Sequence, residues 1–280
     1  YDQVVQTFIN DYLEGKTPNP CLFCNPHIKW GILQSYAFNQ GADFFASGHY
    51  ARIEYLGSGQ VHLLRGKDPN KDQSYVLSML TQSQLGRSLF PIGDMLKGEV
   101  RSLAHRLGLT FIDREESQDL CFLGNVDYRD FLIRYAPQAA NLGEIVNERG
   151  EVLGEHNGLA FYTIGQRKGI RIAASQPYFV IGKDREKNHL VVGFVEQTER
   201  SNLIAIKPNW IAGKPPDEGK NYSVMIRYRA KPVNAALFYI SSDEFRLEFN
   251  DGVRGITPGQ AAVLYQGEVC LGGGIIHASR

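Results

Sequence analysis

The sequence has no apolar run approaching the roughly 18 residues that a membrane-spanning helix needs, so nothing in it asks for a lipid environment. It has no surplus of either charge. Its 30 Lys and Arg offset 30 Asp and Glu, which excludes an overall positive field and leaves only a local patch to hold any nucleic acid. Cysteine is scarce: Cys21, Cys24, Cys121 and Cys270 are too few and too scattered for a secreted disulfide framework, and no signal peptide precedes them. A reducing compartment, the cytoplasm, is therefore expected. Long repeats and low-complexity segments are missing as well, and 280 residues with 43% hydrophobic content can bury two or three separate cores. There is no initiator Met; Tyr1 leads straight into Val4, Val5, Phe8, Ile9, Tyr12 and Leu13 at helical spacing with Gly15 as the C′ residue, so the chain is expected to begin inside a domain.

The first third alternates helix and strand. "NPHIKWGILQSYAFNQG" reads as a helix with Asn25 as N-cap, Pro26 in the first turn, Ile28, Ile32, Leu33 and Tyr36 inward and Gly41 at its end. "DFFASGHYARI" reads as a short buried strand running into Gly48 and His49, which suits an α/β sheet whose ligands gather beyond the strand ends. "LGSGQ" closes a hairpin into "VHLLRG", and "KGEVRSLAHRLG" is an amphipathic helix stopped by Gly108. From about residue 126 the character shifts. "VDYRDFLIRYAP" is a helix ended by Pro137, after which "NERGE", "EHNG", "GKDREKN", "FNDG", "TPGQ" and "YQGE" give closely spaced turns between strands. In "SVMIRYR", Val224, Ile226 and Tyr228 alternate with Met225, Arg227 and Arg229, the pattern of a half-buried strand. Two β units divided near residue 197 are expected.

The chemistry concentrates in "GKTPNPCLFCNPHIKW". Cys24 stands just before the expected helix start, and Lys29 follows within about a turn and a half, so both the helix dipole and the cation should lower its thiol pKa. A small buried cysteine is the plainer reading. A zinc or iron–sulfur site on Cys21, Cys24 and Cys121, with His27 or His49, is a second alternative, although no second CxxC pair exists. A thioredoxin-like dithiol on Cys21 and Cys24 is a third. Cys270, in "GEVCLGGG", reads as core.

Taken together, "GKTPNPCLFCNPHIKW", "ASGHYAR", "LLRGKDPNKDQSYVL", "SQDLCFLG", "YTIGQRKGI", "IRYR" and "TPGQAAVLY", in this order from one end of the chain to the other, resemble the bacterial tRNA-specific 2-thiouridylase family. The resemblance implies an α/β fold followed by β-rich domains. These are the C-terminal portion of a PP-loop (adenine nucleotide alpha-hydrolase-like) catalytic domain over 1–126, a small central domain over 127–197 and a C-terminal tRNA-binding β-barrel over 198–280. It also implies an SGGxDS phosphate loop near the start of the full domain; this sequence contains none, and the 280 residues alone are not expected to adenylate.

The activity implied is ATP- and Mg²⁺-dependent adenylation of the C2 carbonyl of a wobble uridine in tRNA, followed by attack of a persulfide sulfur that a donor or relay protein supplies. The resemblance makes Cys121 the persulfide carrier and Cys24 its partner, with "REESQDLCF" swinging Cys121 in. It places Asn19, Pro20 and Cys21 at the target base, Gly48 at ATP, His49 toward the tRNA, and Lys71, Asp72 and Gln73 on a tRNA-contacting turn. It also places Arg227, Tyr228 and Gln260 at the anticodon arm. Many relatives carry Asp where Cys21 stands, which keeps open an iron–sulfur cluster on Cys21, Cys24 and Cys121. Arg167, Lys168 and Arg171 of "GQRKGIRI" supply a local basic patch of the kind an RNA partner would need.

Overall fold

The computed structural model describes residues 2–109, 120–124 and 126–279. Helix α1 (Asp2–Leu13) buries Val5, Phe8, Ile9 and Tyr12 and stops where Gly15, at φ +76°, donates its N–H to the Tyr12 carbonyl at 3.0 Å. Its apolar stripe packs into the core of the central unit, among Phe131, Leu132, Ile145 and Val180. The first helix thus ties the N-terminal part to the middle of the chain.

Helix α2 (Cys21–Cys24) runs on into a π-helical stretch (Asn25–Leu33) and then α3 (Gln34–Asn39). The expected start at Asn25 is wrong: Pro20 is the N-cap, and the helix already includes both cysteines. The expected inward set is wrong as well, because Ile32, Leu33 and Tyr36 are 64%, 50% and 63% exposed while Leu22, Asn25, Trp30 and Gln34 are buried. Pro26 inside the helix removes one donor and crowds the preceding turn. The backbone answers by widening, and a wider turn moves every later side chain out of the phase that a 3.6-residue period assigns.

The strand expected in "DFFASGHYARI" shrinks to β1 (Phe45–Ala46), half-exposed rather than buried. The hairpin after it is β2 (Ala51–Tyr55) with β3 (Val61–Arg65). Short helices α4 (Ser74–Leu77) and α5 (Gln82–Leu85) precede β4 (Ser88–Leu89), which pairs in parallel with β1, and α6 (Lys97–Arg106) closes on Gly108. The central unit sets α7 (Tyr128–Tyr135), capped by Asp127, against a four-stranded sheet. Its strands are β5 (Gly143–Val146), β6 (Val152–His156), β7 (Phe179–Asp184) and β8 (His189–Gly193) in the order β6-β5-β8-β7.

The last unit comprises β9 (Glu199–Trp210), β10 (Asn221–Met225), β11 (Val233–Ser241), β12 (Glu244–Arg254), β13 (Ala261–Gln266) and β14 (Val269–Ser279). Pairing of β13 with β14 closes the order β13-β10-β11-β12-β9-β14 into a barrel. The hairpin β2–β3 does not stay with β1. It extends the barrel sheet through Val269↔Leu64 and Cys270↔Leu63.

The alternation expected over "SVMIRYR" holds only to Met225; Arg227 to Ala230 form a turn, with Arg229 at φ +61°. Met225 is buried rather than outward. Val224 faces the barrel interior with Leu237 and Phe245, and Met225 faces α4 and the hairpin with Leu63, Tyr75 and Leu77, so both faces of this strand are core.

Candidate active site

The segment leading to the cysteines is held by all three units. Lys183 Nζ on β7 donates to the Gly15 carbonyl at 2.9 Å, and the Thr17 and Thr163 hydroxyls meet at 3.2 Å. From the barrel side, Thr17 N–H donates to the Pro258 carbonyl at 2.9 Å and Gln260 Nε2 donates to the Thr17 carbonyl at 2.8 Å. Gly259, at φ +92°, sits so close that a Cβ there would come within 3.1 Å of the Thr17 backbone. Burial lowers the Lys183 amine to about 8. Neither Lys183 nor Thr17 was legible as part of the site, because their partners are backbone carbonyls and residues far along the chain.

Past this clasp, Asn19 Oδ1 accepts the Cys21 N–H at 3.1 Å and the Pro20 carbonyl accepts the Cys24 N–H at 2.8 Å, which fixes the first helical turn. The helix is anchored beneath by Asn25, whose Nδ2 donates to the Val76 carbonyl at 2.8 Å, and by Trp30, whose Nε1 donates to Ser88 Oγ at 2.6 Å. Cys21 and Cys24 are half-buried, Cys121 is exposed, and no two of the four cysteines are bonded. Cys121 belongs to a turn closed by the Leu123 N–H on the Leu120 carbonyl at 2.9 Å. Its neighbour Phe122 packs edge-on against Phe8 at 5.1 Å. That turn brings Cys121 close enough for its charge to be felt at both Cys24 and Cys21. The rest of the expected swinging segment, 114–119, lies outside the described residues.

The expected lowering of the Cys24 pKa is reversed. Burial raises it, the Lys29 ammonium offsets this only partly, and Cys121 raises it further; Cys21 is raised for the same reasons in the same order. At rest both are thiols. His49 is buried and tilted over Trp30 at 5.4 Å, and its Nδ1 meets Ser47 Oγ at 2.6 Å; burial and then Lys29 lower it to about 4, so it is a neutral imidazole. Cys270 is core as expected, and burial raises its pKa to about 12.

The other expected contacts fall into two groups. Arg227 is exposed, its guanidinium beside Gly255, and Gly255 in turn touches Gly165, so the barrel turn and the exposed Arg167, Lys168 and Arg171 loop of the central unit adjoin. Tyr228 is half-buried against Tyr75 at 6.2 Å. Lys71, Asp72 and Gln73 form a turn whose polar atoms serve the fold. Asp72 accepts from Gly66 N–H and Ser74 N–H, both at 3.0 Å, and from Arg65 at 3.3 Å, while Gln73 Oε1 accepts the Tyr50 N–H at 2.9 Å.

Gly48 is exposed at the end of β1, and a Cβ there would meet only Ile92, at 4.0 Å. One open glycine is an edge contact and does not amount to a phosphate cradle for ATP. Among the described residues no group of three or more His, Cys, Asp or Glu side chains could hold a metal ion, so the set Cys21, Cys24 and Cys121 with His27 or His49 does not form a metal cage. Two of its sulfurs sit on one helical turn and the third on a separate turn.

Residues 1–125 match the family described as the tRNA methyl transferase HUP domain, 129–194 its PRC-barrel domain, and 200–276 the aminomethyltransferase beta-barrel domain. The chain is 43% identical over 277 residues to the tRNA-specific 2-thiouridylase MnmA of Natranaerobius thermophilus, covering 99% of this chain and 75% of that one. It is 46% identical over 275 residues to the enzyme of that name from Desulforudis audaxviator, covering 98% and 80%. To that of Moorella thermoacetica it is 46% identical over 278 residues, covering 99% and 78%. Three family regions in one order, with relatives this similar along almost every residue, establish that the chain belongs to the tRNA-specific 2-thiouridylase family.

Proposed function

We propose that this protein transfers sulfur to C2 of a wobble uridine in tRNA, with Cys121 and Cys24 as the working thiols. The observation that carries the reading is that two cysteines almost a hundred residues apart, one exposed on a turn and one sheltered at the start of a helix, lie within electrostatic range of each other. Cys121, open to solvent, receives a sulfane sulfur from a persulfide-bearing donor protein. Its terminal sulfur bonds to C2 once the carbonyl oxygen has been activated and leaves. Cys24 then attacks the Cys121 sulfur; the S–S bond to the transferred atom breaks, thiouridine keeps the electron pair, and a Cys24–Cys121 disulfide remains. ATP with Mg²⁺ would activate the oxygen.

In this reading residues 1–126 carry the chemistry, 127–197 form the connecting domain, and 198–280 grip the RNA. Asn19, Pro20 and Cys21 frame the base, and His49 forms the neutral floor beneath it. Arg227, Tyr228 and the Arg167, Lys168 and Arg171 loop take phosphate and stacked bases together. Lys71 faces the RNA while Asp72 and Gln73 shape its turn, and Gln260 acts through Thr17. In this reading the protein works in the cytoplasm. Among the described residues no helix is long and apolar enough to cross a membrane.

The family description speaks of methyl transfer and the relatives' names of thiolation; an exposed and a sheltered thiol within electrostatic range of each other favour sulfur. The discriminating experiment supplies ATP, Mg²⁺, a persulfide-charged donor and unmodified tRNA. It is run on the chain and on the chain extended by the SGGxDS-bearing segment that the family resemblance implies. Digestion and mass spectrometry should find 2-thiouridine with the extended chain and little or none with the 280 residues alone; methylated uridine, or no modified uridine with the extended chain, overturns the reading.

A further inference from the structure

Cys21 is the one sulfur at this site that the transfer chemistry leaves idle. It lies one helical turn before Cys24, and both lie within electrostatic range of the turn that carries Cys121. Residues three apart on a helix hold their Cα atoms about 5 Å apart, inside the roughly 4.4–6.8 Å that a disulfide accepts, while their Cβ atoms, roughly 5–6 Å apart, must close to about 3.5–4.5 Å. A Cys21–Cys24 bridge therefore needs side-chain rotation and a slight tightening of this one turn, without unwinding the helix. Such a bridge joins neighbours that the Asn19 and Pro20 hydrogen bonds already hold together, whereas a Cys24–Cys121 bridge pins an exposed turn onto the helix.

We propose that Cys21 is a third exchanging thiol, which moves the oxidised bond off Cys121 so that this carrier is free to be loaded again. The proposal rests on the sulfur-transfer reading, whose turnover leaves the Cys24–Cys121 disulfide. Cys21 gives up its proton to water, and its thiolate attacks the sulfur of Cys24. A Cys21–Cys24 bond forms, the Cys24–Cys121 bond breaks, and Cys121 departs as a thiolate that takes up a proton. The exchange consumes no electrons. Its direction follows from exposure: the departing Cys121 thiolate is hydrated, while a departing Cys24 thiolate would be half-buried. The Cys21–Cys24 disulfide is later opened at Cys24, the less enclosed of the two, by an external dithiol that supplies two electrons and closes to its own disulfide. Cys21 thereby separates two tasks, freeing the carrier at once and meeting the reductant afterwards.

The test needs no tRNA. Fully reduced protein is oxidised with one equivalent of diamide, quenched at intervals with N-ethylmaleimide and mapped by peptide mass spectrometry. The expected course is early Cys24–Cys121 that gives way to Cys21–Cys24 while Cys121 regains alkylation. In Cys21→Ser the long bridge should persist, and alkylation of Cys121 should return at least about tenfold more slowly. In Cys121→Ser the Cys21–Cys24 bridge should form directly. A wild-type protein that keeps Cys24–Cys121 as its final product, with Cys21 alkylated throughout, overturns the proposal. The two failures are distinct. A bridge that migrates in an extended chain making no 2-thiouridine sinks only the transfer reading, and a bridge that stays put in an extended chain making it sinks only the exchange.

Discussion

The helix that carries Cys21 and Cys24 and the turn that carries Cys121 present sulfur in opposite ways. The helix is tied from every side: Asn25 and Trp30 anchor it beneath, and the clasp from Lys183, Thr163, Pro258 and Gln260 fixes the segment before it. Its thiols are half-buried, and burial holds them protonated. The turn is short and its sulfur stands in solvent, while Phe122 and Leu123 beside it enter the core that α1 shares with the central unit. A sulfur that must meet a donor protein has to be exposed, and one that must finish a displacement at a bound base has to be placed and shielded. The contrast suits the roles proposed for Cys121 as the carrier and Cys24 as the finishing thiol.

The sharpest way to break this contrast is to remove either sulfur. Cys121→Ser should abolish persulfide loading. Cys24→Ser should still load Cys121 but stall with sulfur bonded between protein and uridine, trappable as a thiol-sensitive adduct. Each should lower 2-thiouridine formation by at least about a hundredfold with tRNA affinity unchanged, because the thiols act as one unit. Full activity in both variants removes the two-thiol assignment.

The sequence disclosed what depends on near neighbours. Gly15, Gly108 and Pro137 mark helix ends by chemistry confined to a turn or two, and the β2–β3 hairpin follows from "LGSGQ" alone. The phase of the cysteine helix was hidden, since a widened helix shifts Trp30 inward and Ile32 outward and no 3.6-residue template allows for that. Membership of the hairpin in the barrel sheet was hidden too, because Leu63 and Cys270 are 207 positions apart and look like ordinary strand residues. Among the site residues, the cysteines were legible by their spacing and by resemblance. The sign of the Cys24 shift was not, because a helix start and a nearby cation are local whereas burial belongs to the whole fold.

The anchoring of the helix can be weakened without touching sulfur. Trp30 is 1% exposed, packs against Phe45 and Phe90 and donates to Ser88, so Trp30→Ala should cost about 3–5 kcal/mol by chemical denaturation. It should also make Cys24 alkylate faster, while leaving Cys121 alkylation unchanged. Equal acceleration at both cysteines would show that the two regions are not independently held.

His49 offers a milder perturbation through pH. Its folded-state pKa of about 4 lies below the usual 6.5, so protonation favours the unfolded chain. The stability it contributes is complete above pH 6.5 and is lost as pH falls from there toward 4. At about 1.4 kcal/mol per unit, the loss is at most about 3.5 kcal/mol across that window. His49→Gln should flatten the pH dependence of unfolding there. An unchanged slope would mean that His49 is not held neutral beneath the helix.

The smallest expected effect concerns the RNA-gripping surface, where the contrast between held and open groups recurs on a charge. Arg227 is exposed on the turn after β10, next to Gly255 and the basic loop of the central unit, and its neighbour Tyr228 is anchored on Tyr75. A phosphate contact at an exposed guanidinium is made in competition with water and salt. Arg227→Ala should therefore weaken tRNA binding by roughly three- to tenfold at 0.1 M salt and reduce the slope of log K against log salt by about one. Because Arg227 lies in the barrel proposed to grip RNA and not among the thiols, the rate at saturating tRNA should stay the same. A fall in that rate with an unaltered salt slope would place Arg227 in the folding of the barrel turn and not on the RNA.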